Sequence, residues 1–184
     1  MTGEPAVALP VEAASDDRGE RLAALFDAHE ERLYRLARRL APGREEAQDL
    51  VQETFLRAAK ALRSVPIGPA NEEAWLVRVL INIRRDQWRR AAVSQRSAAT
   101  LRAEATTYPA QLESALIAKR AVWAALDVLP PRRRAIVVMH ELEGKSPPAI
   151  ASVLGVTAMT VRWHLSMARR DLKRILAPHM GDTA

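Results

Sequence analysis

Residues 146–176, SPPAIASVLGVTAMTVRWHLSMARRDLKRIL, decide the fold class of this chain. Ser146 carries the hydroxyl that a helix N-cap uses, Pro147 fits the first helical position, and Ala149–Leu154 reads as a short helix. Ala151 is small enough to let a second helix pass close, and Gly155 can supply the positive φ of a tight turn. A second helix is expected from about Ala158. On a 3.6-residue wheel Val161, Leu165, Ala168, Leu172 and Ile175 share one face, which must be the buried one. The opposite arc holds Met159, Thr160, Arg162, Trp163, Ser166 and Arg170. Donors, cations and an aromatic ring on one arc suit a major groove and its phosphates. The stretch therefore predicts a helix-turn-helix with an exposed recognition helix. A helical hairpin with a merely solvated face is the plainer alternative.

The rest of the composition agrees with helices. Apolar residues make up 48% of the 184 positions, aromatics only 4%, and alternating β-branched runs are almost absent, so an all-α protein is expected. There is no cysteine, which excludes disulfides and thiolate metal sites. No apolar run approaches the roughly 20 residues that span a bilayer, and the N-terminus lacks a basic start followed by a long apolar core. A cytoplasmic protein without direct membrane insertion is expected. The net charge is +6, and residues 113–176 alone carry eleven basic against five acidic side chains. Such polarity points the second half towards a polyanion.

Two helical units with a loose join follow from the periodicity. Residues 1–19 read as a disordered tail, 20–92 as a first domain, 93–112 as a Ser/Thr/Ala-rich flexible linker, 113–178 as a four-helix second domain and 179–184 as a C-terminal tail. In the first domain, Leu22, Leu25, Phe26, Leu33, Leu36, Ala37 and Leu40 recur at helical intervals before Pro42-Gly43. Helices over 45–62 and 72–90 come next. In the second domain, helices are expected at about 113–128, 131–142, 147–154 and 158–176.

Two further surfaces stand out. On the 45–62 helix, Val51, Phe55, Ala58 and Leu62 form the core stripe, while Asp49, Gln52 and Glu53 cluster on another face, an acidic-amide dock for a basic partner. On the 72–90 helix the core stripe is Leu76, Val79, Leu80 and Ile83. Arg78, Asn82, Arg85 and Arg89 line up beside it, a basic ladder with one amide that matches a phosphate backbone and one base. Val77, Ile81 and Trp88 make a second apolar stripe, so this helix needs two apolar partners. Unstacked bases or a neighbouring helix would each serve as the second.

Catalysis finds no footing in the sequence. His29-Glu30 begins an apparent HExxH, but Leu33 stands where the second histidine belongs, so no zinc site is expected. The other histidines lie in separate elements, and phosphate-binding loops and nucleophile elbows are missing. The protein is read as a non-enzyme with no cofactor and no metal.

AQDLVQETFLRAAKAL (Ala47–Leu62) and AWLVRVLINIRRDQWRR (Ala74–Arg90) resemble regions 2.2 and 2.3–2.4 of bacterial sigma factors of the extracytoplasmic-function (ECF) group. Ala125–Leu176, with its LPPRRR string, resembles regions 4.1–4.2, and the likeness runs in order from about Arg21 to Leu176. It implies that Asp49, Gln52 and Glu53 dock on the β′ clamp of core RNA polymerase, with the β flap as a second contact. It implies that Trp75, Arg78, Asn82, Arg85, Trp88 and Arg89 engage a melted −10 element. The 158–170 helix, including Met159, Thr160, Arg162, Trp163, His164, Ser166 and Arg170, would enter the −35 major groove, with Arg132, Arg133, Arg134 and Lys145 near phosphates. Promoter DNA and an anti-sigma factor are the other implied partners. Trp163 and His164 depart from the family pattern, and His164 introduces a group that titrates near neutral pH. A stand-alone helix-turn-helix regulator of the response-regulator output type is the competing reading; it gives the acidic face and the basic ladder no role.

Overall fold

The computed structural model of the chain describes residues 11–97 and 114–180. Among them are seven α-helices and no strand. The first unit holds α1 (Val11–Leu40), α2 (Arg44–Lys60), a 3-10 turn (Leu62–Ser64) and α3 (Pro69–Ser97). The second holds α4 (Ser114–Val128), α5 (Pro131–Val137) running into a π turn (Val138–Leu142), α6 (Pro147–Leu154) and α7 (Ala158–Met180).

Local chemistry sets the boundaries. Proline at 42 disfavours helical geometry in the residue before it, and α1 stops at Leu40. Glu45 and Glu46 open α2 while Arg57 and Lys60 close it, each complementing the helix dipole. Gly68 takes φ 105° at the entry to α3. Its N–H donates to Glu72 Oε1 at 3.4 Å, and Glu72 Oε2 meets His29 Nε2 at 3.2 Å. His29, the first histidine of the broken metal motif, is thus a buried anchor between α1 and α3.

Leu33, Leu36, Leu40, Leu50, Leu76 and Leu80 fill the first unit's core, and Ile136, Met139, Ile150 and Val161 fill the second's. The two cores merge into one cluster, because α3 packs on α1 and α2 and also on α5 and α6. The two apolar stripes of α3 are both used. Leu76, Leu80 and Ile83 are buried on its own unit's side; Val77 and Ile81, 1% and 4% exposed, meet the second unit. Val77 and Ile81 are therefore covered by protein in this structure, while Trp88 at the end of the stripe is half-buried.

Two boundaries differ from those expected. α1 begins at Val11, so residues 11–19 belong to a helix and not to a tail; their run of Ala and Glu are good helix formers. α3 continues to Ser97, five residues into the expected linker, since nothing before Ser97 breaks a helix. The remainder of that linker, the first ten residues and 181–184 lie outside the described residues.

Candidate nucleic-acid interface

The helix-turn-helix is built as its sequence demands. Ser146 is extended (φ −69°, ψ 154°) and its Oγ accepts the Ala149 N–H at 3.4 Å. Gly155 closes α6 in the left-handed region (φ 64°, ψ 42°), and the Val156 N–H reaches back to the Ala151 carbonyl at 3.0 Å. That backward bond from the residue after a left-handed cap is a Schellman closure. Thr157, which the sequence reading passed over, caps α7: its Oγ1 accepts the Thr160 N–H at 3.1 Å. A threonine just before a helix start is the signal that could have found it.

Along α7, Val161, Leu165 and Ala168 are buried, and Arg162, Ser166 and Arg170 face solvent. Met159 and Trp163, one turn apart, are 69% and 54% exposed. Thr160 is less free, its hydroxyl lying 2.9 Å from that of Thr157. The Arg133 guanidinium sits 6.0 Å from the Trp163 ring centre and pairs with Asp171, so it steadies the indole from below. His164 stands edge-on to Trp163, half-buried, with no hydrogen-bond partner at Nδ1. Burial first, then the charges of Arg133 and Arg132, holds its pKa below the ordinary histidine range.

The three arginines that open α5 separate. Arg132 and Arg133 are half-exposed, whereas Arg134 is 4% exposed. Arg134 Nε donates to the Arg39 carbonyl at 2.7 Å, and its Nη1 pairs with Asp127. It is sited between the units, with its guanidinium bonded within the protein. Lys145, also expected near phosphates, lies 3.7 Å from Glu73 of α3.

On α3, Asn82 and Arg89 are exposed, while Arg78 and Arg85 are half-exposed, the latter 3.6 Å from Asp86. Trp75 and Trp88 are half-buried, Trp75 leaning on the core. Arg84, absent from the expected set, donates Nε to the Leu40 carbonyl at 3.0 Å. Burial, then the nearby Arg134, lowers its pKa.

Asp49, Gln52 and Glu53 come together as expected, lining a groove of about 470 Å³ with Arg57, Asp86, Gln87 and Arg90, and Arg57 Nε donates to Glu53 Oε1 at 3.0 Å. Next to it an apolar groove of about 590 Å³ runs between α1 and α2 past Leu22, Phe26, Phe55 and Leu56. Phe26, expected in the core, is instead 45% exposed with its ring 4.8 Å from that of Phe55. A third groove, about 540 Å³ and almost wholly apolar, lies in the second unit between Trp123, Leu126, Val138, Leu142 and Leu172.

Residues 25–93 match the family described as sigma-70 region 2, and residues 119–172 match sigma-70, region 4. The ECF RNA polymerase sigma factor SigM of Mycobacterium tuberculosis is 33% identical over 152 residues, 83% of this chain and 75% of that protein. The chain is a sigma-70 family factor of the ECF group. This sigma factor is also 36% identical over 168 residues to the ECF factor SigE of Mycolicibacterium smegmatis, covering 87% of itself and 63% of that longer relative. Its fold is shared with the sigma factor RpoE solved with the anti-sigma factor NepR from Bartonella quintana (TM-score 0.56, 25% identity, 91% and 98% of the two chains). CnrH, solved with the cytosolic domain of CnrY, gives a TM-score of 0.55 at 25% identity over 85% and 88%. Among its described residues no helix is long and apolar enough to cross a membrane.

Proposed function

We propose that this sigma factor binds core RNA polymerase and directs it to promoters by engaging a −10 and a −35 element. One observation carries the reading: an acidic groove on α2 and two basic, base-compatible faces on α3 and α7 lie on separate helices of one chain. A stand-alone regulator has use for the α7 face alone. Asp49 and Glu53, the latter bonded to Arg57 Nε at 3.0 Å, supply the negative charge that a basic clamp helix would meet, Gln52 adds an amide, and the apolar groove of the second unit suits the β flap.

Asn82, Arg85 and Arg89 project from α3 as a phosphate and base reader for the opened −10 strand, with Arg78, Trp75 and Trp88 flanking them. On α7, Arg162 and Arg170 hold the −35 backbone and Ser166 supplies a donor. Met159 and Trp163 offer apolar surface that fits thymine methyl groups. Arg132 remains available to phosphates; Arg133, paired with Asp171 beside Trp163, and Arg134, being buried, are assigned to structure. The factor works by placement, not by chemistry of its own, in the cytoplasm where core polymerase resides. An anti-sigma protein is a further partner, supported by the two open apolar grooves and by the complexes in which RpoE and CnrH were solved.

The deciding experiment is run-off transcription with purified core polymerase on DNA upstream of the factor's own gene, with and without the protein. A discrete transcript that requires it is expected. Failure both to initiate and to co-elute with core enzyme would overturn the assignment.

A further inference from the structure

The start of α7 presents an apolar plate where a polar reader is usual. Recognition helices read base edges with the residues at their N-terminal end. Here the hydroxyls of Thr157 and Thr160 lie 2.9 Å apart, and Thr157 Oγ1 also accepts the Thr160 N–H, so both serve the cap. What projects beside Arg162 is Met159 and Trp163, four residues apart on one face and 69% and 54% exposed. Of the groups that a base pair shows in the major groove, the thymine C5-methyl is the apolar one.

The indole of Trp163 is held in place. Arg133, from α5, brings its guanidinium carbon to 6.0 Å from the centre of the ring, within reach of a cation–π contact. Its Nη1 pairs with Asp171, about two turns along α7 from Trp163. The side chains of that pair are 16% and 21% exposed, so salt and solvent screen it little. Arg133 Nε is buried with no hydrogen-bond partner, and the exposed Arg174 stands 3.8 Å from Asp171 on the outer side of the pair. The His164 ring closes the edge of the indole, 4.9 Å between centres and inclined at 68°. Asp171 is also the only acidic residue of α7. On a helix that faces phosphates a carboxylate repels the ligand, so its use lies on the protein side, and the pair with Arg133 supplies it.

We propose that Arg133 and Asp171 are positioning residues that preset Trp163 as the reader of a thymine C5-methyl group in the −35 major groove. The inference rests on the −35 engagement proposed above and names the feature of the DNA that α7 selects. An unheld indole would have to be immobilised on binding, which costs affinity, and it would meet whichever neighbouring base its rotamer allowed. A held indole meets the same base pair each time. Position, not charge, is what the pair contributes, since Asp171 offsets the cation that Arg133 would otherwise offer to a phosphate.

The test uses holoenzyme, assembled from core polymerase and the factor, on the duplex upstream of the factor's own gene, with each −35 thymine replaced in turn by uracil. Wild type should prefer thymine about fourfold at the contacted position, and Arg133→Met and Asp171→Asn should each reduce that preference below about twofold. The first variant removes a positive charge and the second a negative one, so their affinities for the uracil duplex should shift in opposite directions while the preference falls in both. In the polymerase-free protein, NMR relaxation of the Trp163 indole N–H, assigned with Trp163→Phe, should give an order parameter of about 0.8 in wild type and below about 0.6 in the two variants, with circular dichroism verifying helicity. A thymine preference that survives in folded Arg133→Met and Asp171→Asn overturns the proposal and leaves the pair as a tie between α5 and α7. A mobile indole in the wild type overturns it too. Promoter binding without thymine preference at any −35 position overturns it and leaves the sigma function standing; loss of polymerase and promoter binding altogether removes that function and this inference with it.

Discussion

Replacing Gly155 by alanine isolates one physical term in the helix-turn-helix. Gly155 sits at φ 64°, where a β-carbon crowds the following carbonyl. That costs about 1–2 kcal/mol for an ordinary L-residue. Space is not the difficulty, since the nearest atom to an added Cβ is Arg78 Nη1 at 3.5 Å, an ordinary contact. Alanine should therefore destabilise by the backbone term alone, lowering Tm by about 2–8 °C for a chain of this size. Asparagine tolerates the left-handed region and should cost much less, within about 2 °C of wild type. The assay is thermal unfolding of Gly155→Ala and Gly155→Asn followed by circular dichroism at 222 nm. Equal losses in the two variants would refute the conformational explanation, and a loss in alanine well beyond about 2 kcal/mol would mean a steric clash that the observed spacing does not contain.

Three other outcomes follow from the same geometry. Arg85→Ala with Arg89→Ala should weaken open-complex formation and flatten its salt dependence by about one unit of slope per lost phosphate contact; Asp49→Ala with Glu53→Ala should instead weaken co-elution with core polymerase, and equal loss of both steps in either pair counts against the assignment. If Met159 and Trp163 read thymine methyls, replacing −35 thymines by uracil should weaken binding about fourfold per contacted methyl, from roughly 0.8 kcal/mol of apolar burial, and Trp163→Ala should abolish that difference in a binding titration. His164 resists protonation in the fold because of burial and its arginine neighbours, so the unfolded chain takes up the proton first as pH falls. Stability is thus complete above the ordinary value of 6.5 and is lost as pH falls from there towards the lower folded value. Melting curves between pH 7.5 and 5.5 should show a smaller acid-side loss in His164→Gln than in wild type.

Much of this architecture is legible in the residues. The Ser146 cap, the Gly155 turn and the α7 face follow from local rules that act within a few positions, and α6 and α7 start where those rules say. The two apolar stripes of α3 were equally visible, because a helical period fixes which side chains share a face. What covers Val77 and Ile81 was not, since the period identifies a face without identifying its neighbour, and that neighbour lies more than fifty residues further along the chain. Arg134 shows the same limit. In a run of three arginines it reads as surface charge, and it is buried because the Arg39 carbonyl, ninety-five positions away, needs a donor. Phe26 misled in the opposite direction: its spacing is that of a core residue, yet it lies at the edge of the α1 stripe and lines an open groove. Glu143, whose carboxylate pairs with Arg32 of α1, carried no local signal at all.

The π turn after α5 sets where Glu143 stands. Between Val138 and Leu142 the chain closes on the fifth residue instead of the fourth, with the Glu143 N–H bonded to the Val138 carbonyl at 3.2 Å. An α-helix advances about 100° per residue, so one residue more or less in this turn swings whatever follows through about a quarter of a circle. Glu143, which follows this turn, accepts Arg32 of α1 through both carboxylate oxygens. The ion pair between the two units is accordingly set by chain length at one place. A single-codon insertion or deletion there would break the Glu143–Arg32 pair and re-aim the chain that enters α6.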